Sequence, residues 1–233
     1  RSARGLRFNF PNDPWLGSLS YREFGVSYDP AVGFSRRNSF RRVEPRIRFS
    51  PILEKSSTIR ELQWEVSFEN LMSLQWKKLT QNIRLTPLSI RFESGDEISY
   101  QIIRNFERLE YDFNILGDNS IVIPVGNYTN WSHQIELETA NYRKIVYGIE
   151  LKTEGFWSGN RTEYENELIF RPLPGINLNL GYIHSRVNLR EGNFKTNLVR
   201  FLGDFDFTPF ISFSSNIQYL SLIHISEPTR LVS

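Results

Sequence analysis

The sequence contains no cysteine among its 233 residues, and it has only three histidines. The absence of cysteine excludes a disulfide framework and a thiolate metal site. The chain also lacks an apolar run of about 18 residues, the length that a transmembrane helix requires. A transmembrane β-strand has no such requirement, because its residues alternate between lipid and water. The formal net charge of +2 gives no reason to expect binding to nucleic acid.

Hydrophobic residues recur with a period of two along nearly the whole chain. In residues 131–139 the odd positions are mostly apolar and the even positions are polar, and residues 62–69 and 145–157 repeat this pattern. A period of two indicates β-strands with one apolar and one polar face. No stretch of comparable length has the spacing of three and four residues that is typical of a helix. We therefore predict no helix.

Turn-forming residues divide the chain into about twelve strands. The predicted spans are 4–10, 15–25, 40–52, 58–70, 74–93, 97–108, 130–139, 144–157, 161–171, 176–189, 194–207 and 210–219. The links between them alternate between tight turns and looser connections, and the two long connections are residues 25–39 and 109–129. Short turns at one end and longer loops at the other are typical of outer-membrane barrels.

The predicted fold class is all-β: an antiparallel up-and-down transmembrane β-barrel with about twelve strands present. Several predicted strands have about 10–14 residues, whereas strands of soluble sheets commonly have about 5–6. Aromatic residues make up 14% of the chain and gather near the strand ends, where they could form the interfacial girdles of a barrel. The alternative is a soluble β-sandwich or closed barrel with its apolar faces inside.

The residues at both ends of the chain lead us to expect that the barrel is truncated. The sequence begins at Arg1 with neither methionine nor a signal peptide, so we expect the native start to lie upstream. Residues 220–230 resemble a translated sequencing adapter. We therefore assign residues 1–219 to a partial outer-membrane β-barrel domain and residues 220–233 to an artefactual tail.

Several segments resemble the C-terminal barrel domain of unknown function 5916. They are residues 21–25, 28–37, 85–96, 106–109 and 123–128. In that family the barrel follows an N-terminal domain similar to family-nine carbohydrate-binding modules, which this chain lacks. The resemblance implies a bacterial (Gram-negative) outer membrane, an exported precursor and a link to carbohydrate. It supplies no catalytic residues.

A loop and the arginines after it form the sharpest local feature. The loop contributes Tyr28, Asp29, Gly33 and Phe34 as candidate ligand-binding residues. The basic cluster contributes Arg36, Arg37, Arg41 and Arg42, followed by Arg46 and Arg48. Guanidinium groups bind phosphate and carboxylate through paired hydrogen bonds, so the cluster could bind acidic sugars or lipopolysaccharide phosphates at a barrel mouth. Alternatively, these arginines pair with glutamates of neighbouring strands such as Glu61, Glu65 and Glu69.

Catalysis has little support in the sequence. His133 and His184 both fall on apolar strand faces, and Ser185 cannot face His184 from the same strand. The row formed by Glu163, Glu165 and Glu167 could supply the acid and base of a glycosidase. Such a row is more typical of a solvent-exposed strand face. We predict no cofactor, no metal and no established enzymatic activity, with a barrel-wall hydrolase as a remote alternative.

The predicted function is a membrane-embedded pore, anchor or export platform linked to carbohydrate handling. The expected partners are outer-membrane lipid and lipopolysaccharide, the barrel-assembly machinery, and a carbohydrate ligand bound through the missing domain. The alternative is a soluble extracellular β-protein that binds glycan or lipid in its interior.

Overall fold

The structure, a computed structural model, describes residues 3–26, 28 and 39–225. These residues form an all-β fold in which twelve antiparallel strands make one sheet in the order of the chain. The strands of this sheet are β1 (Ala3–Pro11), β2 (Trp15–Phe24), β3 (Phe40–Phe49), β4 (Ile59–Ser73), β5 (Lys78–Phe92), β6 (Glu97–Leu109), β9 (Gly126–Glu138), β10 (Ile145–Phe156), β11 (Gly159–Phe170), β12 (Ile176–Asn188), β13 (Asn193–Thr208) and β14 (Ile211–Ile225). Two short strands, β7 (Phe113–Asn114) and β8 (Val122–Ile123), form a separate hairpin between β6 and β9. No helix among the described residues has the length and apolar character needed to cross a membrane.

The prediction of a twelve-strand antiparallel meander is confirmed. Closure of the sheet into a barrel is not shown, because β1 and β14 are its two edges and do not pair with each other within the described part of the chain. β9 begins at Gly126, four residues before its predicted start, because residues 126–129 pair with the end of β6. β14 continues to Ile225, since residues 220–225 pair with the start of β13. The assignment of residues 220–233 to a tail stays a prediction, and residues 226–233 lie outside the described ones.

The two faces of the sheet differ sharply in polarity, as the alternation predicts. Cross-strand partners keep the apolar residues on one side; Leu137, for example, lies opposite Ile98 on one neighbour and Ile149 on the other. We call this side the apolar face and the other side the polar face. Large side chains of the apolar face are exposed in eleven of the twelve strands of the sheet, including Phe8 at 64%, Ile47 at 59% and Tyr219 at 66%. Those of β6 are partly or fully buried.

Small polar residues on the polar face are buried, in contrast to the large residues on the other side. Ser89, Ser99, Ser132 and Ser185 all have less than a tenth of their surface exposed. Side chains converge on the inside of a curved sheet and diverge on the outside. The burial therefore indicates that the sheet curves with its polar face inward.

The links between strands lie at two ends of the sheet. We call the end with the turns at residues 12–14, 93–96 and 139–144 the turn end, and the opposite end the loop end. Both long connections, residues 25–39 and 110–125, join strand ends at the loop end, as predicted. The expected alternation of tight and loose links holds only in part. The link of Trp157 and Ser158 at the loop end is as short as any, since Trp157 adopts a positive φ of 50°.

Candidate functional site on the polar face

An arginine-rich region covers the polar face of β1–β5, and we call it the basic sector. It surrounds a concavity of about 590 Å³. Its charged side chains are Arg7, Arg22, Arg42, Arg46, Arg48, Arg84 and Arg91, with Glu44, Glu61, Glu65 and Glu69 between them. Seven arginines against four glutamates give this region an excess of positive charge.

Ion pairs hold the basic sector together across neighbouring strands. Arg22 and Arg42 lie directly opposite each other on β2 and β3. Glu44 bridges them, with its carboxylate oxygens 2.5 Å from Arg22 and 2.6 Å from Arg42. Arg42 also lies 3.0 Å from Glu69, and Arg46 lies 2.6 Å from Glu65. The interpretation of this wall as arginines paired with neighbouring glutamates is therefore confirmed for Glu65 and Glu69.

Glutamates dominate the polar face of β9–β11. Three of them, Glu136, Glu150 and Glu165, lie opposite one another in a single row across the three strands, and we call them the acidic row. No ion pair to any of the three is present among the described residues. Four further glutamates of these strands share the face, namely Glu138, Glu154, Glu163 and Glu167, with only Lys152 and Arg161 as cations. The polar face is thus positive at one side of the sheet and negative at the other.

The long link between β6 and β9, residues 110–125, folds over the polar face, and we call it the inner loop. Its Ile121 and Ile123 are fully buried. They form one core cluster with Val187 and Leu189 at the end of β12 and with Phe194 at the start of β13. Three strands (β9, β10 and β11) lie between the loop's origin and β12, a distance of roughly 15–20 Å in a flat sheet. The loop therefore crosses the concave side of the sheet.

Trp157, in the turn between β10 and β11, is the aromatic support for the inner loop. Its ring centroid lies 5.6 Å from that of Phe113 in β7 and 5.2 Å from that of Tyr128 in β9. The positive φ of this residue lies in a region that side chains other than glycine rarely adopt. The surrounding aromatic contacts offset that cost.

Of the residues predicted to form the ligand-binding loop, the structure describes Tyr28 alone. Asp29, Gly33, Phe34, Arg36 and Arg37 lie outside the described residues. The backbone N–H of Tyr28 donates to the carbonyl oxygen of Gly25 at 3.2 Å, and its ring packs edge-on against Phe24.

Arg41 and Arg42 are neighbours on β3 and therefore project from opposite faces. Arg42 belongs to the basic sector. Arg41 lies on the apolar face, where it is 2.7 Å from Glu23 and stacks 4.4 Å over the ring of Trp76. The two arginines consequently cannot contact the same ligand on one face of the sheet.

Both described histidine side chains lie on the apolar face, as predicted. The Nδ1 atom of His133 is 2.7 Å from the hydroxyl of Tyr100, and that of His184 is 2.7 Å from the amide oxygen of Asn197. Ser185 projects from the other face, where it is buried. Among the described residues, no group of three or more histidines and carboxylates could hold a metal ion.

A hydrogen-bonded lock joins two neighbouring turns at the turn end. The Asp96 carboxylate accepts hydrogen bonds from the backbone N–H of Ala140 and from the side chain of Arg143, both at 2.9 Å. The hydroxyl of Tyr142 donates to the carbonyl oxygen of Ser94 at 2.7 Å. The hydrogen bond from the Ser94 hydroxyl, followed by those from Ala140 and Arg143, lowers the pKa of Asp96 below its ordinary value.

Sequence reasoning missed the inner loop and the acidic row as features of the site. The sequence does contain an indication of the packed loop, because the apolar run Ile121–Ile123 follows a stretch that contains asparagine, glycine and serine. The acidic row has a weaker one, since Glu136, Glu150 and Glu165 come from three separate strands. Only the cross-strand register places them side by side.

No protein-family model, curated protein or solved structure matches this chain.

Proposed function

We propose that this chain forms the wall of a transmembrane β-barrel of the bacterial outer membrane, with the apolar face toward lipid and the polar face around an aqueous pore. The observation that carries the proposal is the apolar face, which has exposed large side chains in every strand of the sheet except β6. Soluble monomers rarely expose an apolar patch larger than a few hundred Å². Lipid is the solvent in which such a face is stable.

The dimensions and edges of the sheet agree with this environment. A strand of about 12 residues, rising 3.3 Å per residue and tilted by about 40°, spans roughly 30 Å, close to the thickness of a bilayer's hydrocarbon core. Unpaired backbone groups are costly in lipid, so the edges of β1 and β14 require partner strands there. In the proposed barrel these edges pair either with each other or with further strands.

Closure of the barrel would place the two charged regions on opposite walls of the pore. β3, in the basic sector, and β10, in the acidic row, are separated by four strands of the twelve. An ion in the pore would then pass between a positive and a negative wall, beneath the inner loop. This arrangement supports an aqueous, charge-selective pore rather than a solid anchor.

The resemblance to domain 5916 adds a link to carbohydrate handling, with lipopolysaccharide and the barrel-assembly machinery as further partners. The alternative is a soluble protein that binds glycan or lipid in its interior. That protein would need its apolar side chains inside the curve, whereas the exposed face here supports the membrane proposal.

The test is to refold the chain into phosphatidylcholine vesicles and to compare heated and unheated samples on a detergent gel. A barrel migrates faster before heating, resists protease in vesicles and conducts ions in planar bilayers. A chain that remains in the aqueous fraction with one heat-independent mobility would contradict the proposal.

A further inference from the structure

On the apolar face of the described strands, the charged side chains are almost all positive and almost all in the half of the sheet toward the loop end. They are Arg4, Arg41, Lys78, Arg104, Arg108, Arg186 and Lys195, which we call the basic belt. Glu23 is the one carboxylate on this face of the described strands. At the turn end, Arg60 is the single charge that the described residues place on the same face. The face is therefore asymmetric along the direction of its strands.

Arg186 and Lys195 are the clearest members of the belt. They lie directly opposite each other on β12 and β13. Like charges in this position repel each other. Neither side chain has a hydrogen-bond or ion-pair partner among residues 3–26, 28 and 39–225, in contrast to Arg22 and Arg42, which Glu44 bridges. An anion from outside the chain would relieve this repulsion.

Other belt residues combine a cation with an aromatic ring, as side chains at a membrane interface do. Lys78 lies 3.8 Å over the ring of Phe106, and Arg41 lies over Trp76. Arg104 is opposite Trp131, whose ring is 55% exposed. Arg41 and Lys78 lie at the starts of their strands, whereas Arg104 and Trp131 lie near the middle of β6 and β9.

We infer that the basic belt binds the phosphate-bearing head groups of anionic lipids in the leaflet at the loop end. The inference rests on the proposed function, because it requires the apolar face to be in a bilayer. It adds a lipid class and an orientation: the leaflet richer in phosphate lies at the loop end. Charge complementarity carries it, since seven cations and one carboxylate of the described strands share the loop-end half of an apolar surface.

The experiment measures the preference of the inserted protein for phosphatidylglycerol over phosphatidylcholine, through quenching of tryptophan fluorescence by brominated lipids. The native chain should favour phosphatidylglycerol severalfold. Arg186→Gln with Lys195→Gln should bring that ratio most of the way back toward one, because each cation near the lipid surface contributes up to about fivefold. Arg200→Gln is the matched control, since Arg200 lies on β13 but on the polar face, and it should change nothing.

The controls separate this inference from the proposed function. Insertion into phosphatidylcholine alone, read from protease resistance, tests the membrane proposal without the belt. A chain that inserts but shows no preference, or a double variant that keeps the full preference, would overturn the inference. The double variant Arg104→Gln with Arg108→Gln, on β6, tests the same lipid preference. Its result does not depend on whether the first double variant folds.

Discussion

The ring of Phe113 in β7 lies 5.6 Å from the ring of Trp157, which sits in the turn between β10 and β11. This contact links a loop that begins after β6 to a turn that is two strands further along the sheet. Together with the buried cluster of Ile121 and Ile123, it fixes the inner loop over the polar face. The inner loop is therefore held in place by packing contacts inside the proposed pore.

Shortening the buried side chains of the inner loop should release it. We expect each of Ile121→Ala and Ile123→Ala to destabilise the loop's packing by about 2–5 kcal/mol, since both residues are fully buried. Hydrogen exchange should accelerate in residues 110–125, and single-channel conductance should rise. Val125→Ala is the control, because Val125 belongs to the same loop but is 58% exposed. Equal effects of the three variants would contradict this anchoring.

Neutralising the acidic row should change the selectivity of the pore. The triple variant Glu136→Gln, Glu150→Gln and Glu165→Gln removes three carboxylates from one wall, so the permeability ratio should shift toward anions. Reversal potentials across a salt gradient measure this ratio. The converse variant, Arg46→Gln, should shift it toward cations. Glu54→Gln, in an exposed turn, should leave it unchanged, and a triple variant with native selectivity would exclude the row from the pore.

Acid should weaken the lock at the turn end. The pKa of Asp96 is lower in the folded chain than in the unfolded chain, so its stabilisation is complete above the unfolded value. That stabilisation is lost as the pH falls below about 4 and through the folded value. Asp96→Asn should lower the denaturation midpoint at pH 7 and remove part of its fall at acid pH. A variant whose midpoint follows pH as the native chain does would show that Asp96 contributes nothing.

Two glycines with the same backbone angle should respond differently to alanine. Gly95 and Gly117 both have φ of 81°, which costs a side chain roughly 1–2 kcal/mol. At Gly95 an added Cβ would also lie 2.9 Å from the Cβ of Ala140, whereas Gly117 has nothing within 4 Å. Gly95→Ala should therefore destabilise the chain more than Gly117→Ala in equilibrium unfolding. Equal losses of stability in the two variants would mean that the neighbouring turn at Ala140 moves to accommodate the added Cβ without cost.

Hydrophobic periodicity was sufficient to predict the strands and the two faces. It placed His133 and His184 on the apolar face and the partners of Arg42 and Arg46 on neighbouring strands. A period of two also puts Arg41 and Arg42 on opposite faces, which separates two members of the predicted arginine cluster. The acidic row and the contact of Ile121 with β12 were beyond reach, because they depend on cross-strand register and on the curvature of the sheet.

The most direct test of the whole account uses two neighbouring residues in the middle of β11. Because the chain has no cysteine, Tyr164→Cys and Glu165→Cys each provide a unique site for a nitroxide label. In vesicles, the label at 164 should be relaxed by oxygen dissolved in lipid, and the label at 165 by a water-soluble nickel complex. Labels at both sites that respond to the nickel complex alone would contradict a lipid-facing apolar surface.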